Sequence, residues 1–225
     1  MTEEEWLKGD DPLPLLESLR SKASGRKCRL LACACCRAVW DCLDPEQRMA
    51  VGAAESFADG QSTPTDYVTA TQRFSAGQNQ SGYHQFFDAV SVGESPDRAI
   101  VLSCLVGCAC GQPDDQAGPW AAAIDAVYVT RHPSPAAPGL VRGSLIRDVF
   151  GNPFNPAAVD PSWRTDAAVA LARGMYESRD FGTMPLLADE LVAAGCADVD
   201  ILAHCRSERS HVRGCWVVDL VLGKE

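Results

Sequence analysis

Residues Arg26 to Leu43, RKCRLLACACCRAVWDCL, constrain the fold more than any other stretch of the chain. The only charges in it are Arg26, Lys27, Arg29, Arg37 and Asp41. At about 100° per residue they fall in one sector of a helical wheel. Every other position is Leu, Ala, Cys, Val or Trp. A helix apolar on nearly all sides has to be surrounded, so this one is expected at the centre of a helical core. Cys28, Cys33, Cys35, Cys36 and Cys42 ride on it. Thiol and Ala side chains are small and let neighbouring helices approach closely. This run, like the other apolar runs, falls short of the ~20 residues that span a bilayer, so no membrane association is expected.

The rest of the chain reads as further helices with clear punctuation. Thr2 before Glu3-Glu4-Glu5 is an N-cap with an acidic first turn. A second helix is expected from Pro12 to Lys22, stopped by Ser24-Gly25. Asp44-Pro45 starts another that runs to Ala58, and Thr63-Pro64 the next. Gly77 to Gly82 is polar and reads as a loop, followed by a short helix from His84 to Val92. Ser95-Pro96-Asp97 opens a second buried helix, Ala99 to Cys110, which stops at Gly111. Pro119 to Thr130 and Leu140 to Phe150 follow as helices. Prolines 153, 156 and 161 forbid a regular helix between Gly151 and Trp163, which is expected to be extended and anchored by Phe154 and Trp163. Thr165, Thr183 and Asp198 begin three more helices. Ser210 is expected to cap a last one, His211 to Leu222, ended by Gly223. Its β-branched residues leave a strand open as the alternative for CWVVDLVL. The fold class is therefore mainly α: a multi-helix bundle or array of about ten helices. Arg131 to Gly139 (RHPSPAAPG) is the best candidate linker. It divides an N-terminal part, 1–130, from a C-terminal part, 140–225, the two expected to pack as one globular unit.

The balance of charge narrows the partners. A net charge of −10 argues against a broad nucleic-acid or anionic-membrane surface, because phosphates need Lys and Arg in excess. The opening MTEEEWLKGDD has no cationic segment before an apolar one, so no signal peptide is expected. Eleven cysteines, an odd number, crowd short segments where mutual disulfide geometry is poor. Reduced thiols in a cytoplasmic protein fit better, most of them acting as small buried hydrophobes.

Two long strings, LIRDVFGNPFNPAAVDPSW and MPLLADELVAAGCADVDILAHCRSERSHVRGCWVVDLVLGK, resemble a family of uncharacterised bacterial proteins found in large paralogous sets in planctomycete-type genomes. MTEEEWL and RLLACACCRAVW resemble the same family's opening. The resemblance covers both ends and most of the second half, and Gly60 to Gly139 lie outside it. It implies no activity and carries over no catalytic residues.

The chemistry-bearing residues concentrate near the C-terminus. Cys205, His211 and Cys215, with His204 or Cys196 as a fourth, are candidate zinc ligands, because zinc favours thiolate and imidazole in tetrahedral sets. On a helix, His211 and Cys215 would stand at i and i+4 on one face. The spacing Cys205-x5-His211-x3-Cys215 matches no standard finger. The same residues permit a second reading, in which the thiols are core and the histidines cap or hydrogen-bond. A third, a cysteine nucleophile paired with one of the histidines, needs an exposed thiol of lowered pKa. Arg206, Arg209 and Arg213 could bind an anion, or pair with nearby acids and helix ends. Asp148, Asp160 and Asp166 flank the proline-rich segment; a carboxylate pair is imaginable there, but capping and turn formation explain most of it. The cysteine rows at 28–42 and 104–110 lie in apolar helices, unlike the loops that hold iron–sulfur clusters. No phosphate-cradling loop or nucleophile elbow is present.

The reading that follows is a non-enzymatic helical interaction or regulatory protein with an unidentified protein partner and no required cofactor. The alternative is a zinc-binding protein, structural or hydrolytic, built on the Cys/His cluster.

Overall fold

A computed structural model describes residues 1–74, 80–92, 96–111, 118–131 and 143–224. Thirteen α-helices and no strand occur among them, so the mainly α expectation holds and the strand alternative at the C-terminus does not. The helices are α1 (Glu3–Lys8), α2 (Pro12–Glu17), α3 (Gly25–Arg37), α4 (Pro45–Ala58), α5 (Pro64–Thr71), α6 (Gln80–Ser91), α7 (Arg98–Ala109), α8 (Gly118–Arg131), α9 (Gly143–Phe150), α10 (Asp166–Ser178), α11 (Met184–Ala193), α12 (Val199–Cys205) and α13 (Trp216–Leu222). None of them is long and apolar enough to cross a membrane.

The chain forms two compact units, one of Met1–Asp10 with Gly143–Glu225 and one of Asp11–Arg142. The first ten residues, however, group with the C-terminal part. Arg147 on α9 holds them, donating to the carbonyls of Trp6 (2.9 Å) and Gly9 (2.7 Å). The Gly143 N–H donates to the Asp10 carbonyl at 2.9 Å. The linker stretch from residue 132 on lies outside the described residues, as do Leu140 and Gly77 to Asn79 of the polar stretch. The rest of that stretch is helical, since α6 begins at Gln80.

In the larger unit α3 is the central element, packed against α4, α7 and α8. Cys28, Leu30, Leu31, Cys33, Cys35 and Cys36 are all buried on it. Each fully buried Leu contributes about 2 kcal/mol through apolar surface removed from water. The helix is shorter than expected: it ends at Arg37, and Trp40–Cys42 is a separate 3-10 turn. Tertiary contacts stop it. The Arg37 guanidinium makes a two-pronged ion pair with Glu55 (2.9 and 2.8 Å) and lies 3.6 Å from the centre of the Trp40 ring. Arg29 also departs from the solvent-facing sector of the wheel. It is buried and donates to the Tyr67 hydroxyl (2.6 Å) and the Gly111 carbonyl (2.9 Å). The second helix ends at Glu17 rather than Lys22, where the Ser18 hydroxyl donates to the Leu15 carbonyl and competes with the helical ladder.

In the smaller unit α10 packs on α11 and α13, α11 on α12, and α13 on α9 and α12. Met175, Leu187, Ile201, Val217, Val218 and Val221 fill its core. The proline-rich segment before α10 contains no α-helix, only a 3-10 turn at Pro161–Trp163 capped by Asp160. Trp163 packs on the core as expected, whereas Phe154 is 41% exposed and lies outside that core. Gly151, at φ +68°, closes α9. A side chain there would begin 3.2 Å from the Trp216 ring, so glycine lets the indole lie against the backbone. The last helix starts at Trp216 instead of His211, and residues 211–215 form a turn in which the Cys215 N–H donates to the Val212 carbonyl at 2.9 Å.

Candidate metal centre

Four side chains of the smaller unit converge: Asp148 from α9, His204 from α12, and His211 and Cys215 from the turn before α13. One ligand atom from each lies within 4.8 Å of all the others. Asp148 Oδ1 is 2.6 Å from His211 Nδ1 and 3.2 Å from His204 Nε2. Cys215 Sγ is 3.1 Å from His204 Nε2 and 3.9 Å from His211 Nδ1. The side chains of Asp148 and His211 are each 4% exposed and that of His204 16%, and Cys215 is fully buried.

Local structure explains the convergence. Asp198 caps α12 through the N–H groups of Asp200 and Ile201, which fixes the helix whose last turn carries His204. Gly214 at φ +94° lets the chain reverse after His211, so that Cys215 becomes the residue preceding α13. Asp148 Oδ2 accepts the Val212 N–H at 2.9 Å, which ties α9 to that turn. A carboxylate buried this deeply is costly unless it is paired and hydrogen-bonded. Burial raises the Asp148 pKa, but the hydrogen bonds and charge of His204 and His211 outweigh it and hold the carboxyl below its usual value. Burial pushes the Cys215 thiol well up, and the Asp148 charge adds to that; the backbone N–H groups of Val218 and Val217 act the other way.

The donor set suits zinc. A thiolate, two imidazoles and a carboxylate are zinc ligand types, and the soft sulfur argues against magnesium or calcium. Tetrahedral bonds of about 2.0–2.3 Å place neighbouring ligand atoms roughly 3.3–3.6 Å apart. The separations of 2.6, 3.1, 3.2 and 3.9 Å bracket that range. Proton positions set one condition. The Trp216 indole N–H donates to His204 Nδ1 at 3.0 Å, which puts the proton of neutral His204 on Nε2. Without metal, both imidazoles thus donate toward Asp148. Ligation moves each proton to the far nitrogen. For His211 the far nitrogen, Nε2, is buried and has no hydrogen-bond partner, so the shift leaves an unpaired buried N–H there. His204 does it by giving up the Trp216 bond.

Of the residues expected from sequence, His204, His211 and Cys215 are brought together and Cys205 is not. Cys205 lies in the apolar core, its thiol pushed up to about 12 by burial, and Cys196 is buried in the same core. Asp148 takes the place expected for a second thiol. The one sequence signal for it was an acid set among the buried apolar residues of α9, Ile146 and Val149. His211 and Cys215 meet across a turn, not along one helix face. The contact of Cys215 with His204 has the shape of a nucleophile pair, but its sulfur is fully buried and its pKa is raised, which is the reverse of an activated thiol. The three arginines separate: Arg206 pairs with Asp189 (3.1 Å), Arg213 stacks on Tyr176 (4.6 Å), and Arg209 lines a surface cleft. The thiols of Cys33, Cys35, Cys36 and Cys110 are buried and held above their ordinary pKa by burial. No family model matches the chain, and comparison with curated proteins and solved structures finds no similar protein.

Proposed function

We propose that the smaller unit is a zinc-binding module and that its ion is structural. The observation that carries this is the meeting of four ligand atoms of zinc-binding type, three of them on 204–215 and one on α9. All four positions of a tetrahedral ion are then protein ligands, the pattern of structural rather than catalytic zinc. The ion would join α9, α12 and the start of α13, three short elements. This is consistent with a helical interaction or regulatory protein whose zinc maintains shape, and a protein partner rather than a substrate is the expected counterpart.

Metal analysis of full-length protein purified without chelator tests the reading. Stoichiometric zinc is expected, lost in a Cys215→Ser, His211→Ala double variant. Cobalt substitution should give thiolate-to-metal charge-transfer absorption that Cys215→Ser abolishes and Cys205→Ser leaves intact. Metal-free protein whose melting is unchanged by added zinc would overturn it. It would leave the second reading, a metal-free hydrogen-bonded cluster, which the Trp216 bond to His204 favours.

A further inference from the structure

Residues 1–10 form an arm that α9 and its two flanks grip. Arg147 donates to the carbonyls of Trp6 (2.9 Å) and Gly9 (2.7 Å), and the Gly143 N–H to that of Asp10 (2.9 Å). The Asn152 amide donates to the Glu3 carboxylate at 2.7 Å. Asp148, the residue after Arg147, reaches a different segment: His204 (3.2 Å), His211 (2.6 Å) and the Val212 N–H (2.9 Å). Successive helical side chains point about 100° apart, which lets two neighbours on one short helix hold two separate parts of the chain. The metal cluster and the arm are thus joined through adjacent residues of α9.

The docked arm is held against opposing terms. Its helix α1 has six residues, too few to stay helical alone. Trp6 is the one buried side chain of α1 and is fully enclosed, but its indole N–H finds no acceptor. Arg147 Nε, on the gripping side, is also buried without one. Each such donor weighs against the docked state and offsets part of what burial of the indole contributes. A modest change in how firmly α9 is seated is then enough to decide whether the arm stays.

We infer that metal bound at Asp148 controls the docking of the N-terminal arm. The inference rests on the zinc reading. His204, His211 and Cys215 lie together on 204–215, and α9 brings Asp148 alone. Zinc can therefore bind whether or not α9 is seated, but the seated state offers one more ligand. That difference in affinity, rather than the affinity as a whole, is what shifts the arm. Linkage makes the effect reciprocal, so a docked arm tightens zinc by the same factor, in the range of about 5- to 150-fold for couplings of this kind. Undocking exposes Trp6 and opens the bond between Asp10 and Gly143, so the unit answers the metal level with a change of surface.

The experiment compares hydrogen exchange in residues 3–9 with that in α10 and α11, using full-length protein loaded with zinc and the same protein after chelator. Zinc content is measured on each sample. Removing zinc should speed exchange in 3–9 by at least about fivefold more than in α10 and α11. Arg147→Met keeps all four ligands and cuts the link. It should leave stoichiometric zinc, abolish the zinc dependence of the arm's exchange, and weaken zinc in a chelator competition by about the factor seen for the arm. Asn152→Ala removes only the exposed bond to Glu3 and should preserve the zinc dependence. Exchange in α10 and α11 reports whether each variant stays folded, and the wild-type comparison decides without them. Equal exchange of 3–9 with and without zinc, or an acceleration shared equally by α10 and α11, overturns the inference and leaves the zinc reading standing. Absence of zinc from the loaded samples overturns both.

Discussion

Cysteine is the most conspicuous residue in both units and does different things in each. In the larger unit Cys33, Cys35 and Cys36 lie on α3, beside Leu and Ala, fully buried. In the smaller unit Cys215 is equally buried but has Asp148 and two imidazoles for company. Abundance therefore carries no chemical information here, and neighbours carry all of it. A buried thiol among hydrocarbons is a compact packing unit. The same thiol beside a carboxylate and two imidazoles is a candidate ligand.

The comparison can be broken most severely at high pH. Thiols of the larger unit are held neutral, mainly by burial: Cys28, Cys35 and Cys110 at about 12, and Cys33 and Cys36 well above the ordinary value; Cys108 is raised first by its hydrogen bond with Cys104 and then by burial. A folded pKa above the unfolded one gives stability that is complete below the unfolded value of 9.0 and lost as pH rises through the folded one. Segment-resolved hydrogen exchange between pH 8 and 11 should show the larger unit losing protection steeply above pH 9. Flat protection there would refute its packing role for the thiols.

Zinc withdrawal should single out the smaller unit. At a thousandfold excess of zinc over its dissociation constant, binding adds about 4 kcal/mol, which a chelator or Cys215→Ser should remove. Acid should act in the same direction, since protons compete with the metal for its imidazole and thiolate ligands. The larger unit's exchange should not respond to chelator. Arg37→Met is the counterpart there, removing the two-pronged ion pair from buried Glu55 at a cost of about 3 kcal/mol with no change in zinc content. Cys36→Ala should cost less, on the order of 1 kcal/mol, again without loss of metal. The smallest effect is expected from Trp216→Phe. It removes the bond to His204 Nδ1 and so should tighten zinc by a few fold in a chelator competition, with little change in melting.

Helix starts were the most legible part of the fold. Thr2, Asp44, Asp97, Thr165 and Asp198 each cap as expected, because an N-cap is a local bond between a side chain and the next turn. Helix ends decided by distant partners were not. Nothing within Arg26–Leu43 indicates that Arg37 will turn to Glu55, or that Arg29 will find Tyr67 and the Gly111 carbonyl. The site divides the same way. His204, His211 and Cys215 were visible as a local cluster. Asp148 bonds across 63 residues, and no spacing rule reaches that far. Cys205 was a reasonable candidate by type and proximity, but it sits on the core side of α12.

The first ten residues and Gly143 onward belong to one unit, and the two cut points meet in a hydrogen bond between Gly143 and Asp10. In topological terms the larger unit is an insertion whose entry and exit are side by side. Synthesis from the N-terminus then imposes an order. The opening helix emerges first and waits while the insert is completed, since its partner α9 and the ligands at 204–215 are made last. Closure of the smaller unit therefore has to follow synthesis of the insert, and a ribosome stalled between Gly143 and Cys215 would hold a fully made insert and an incomplete host.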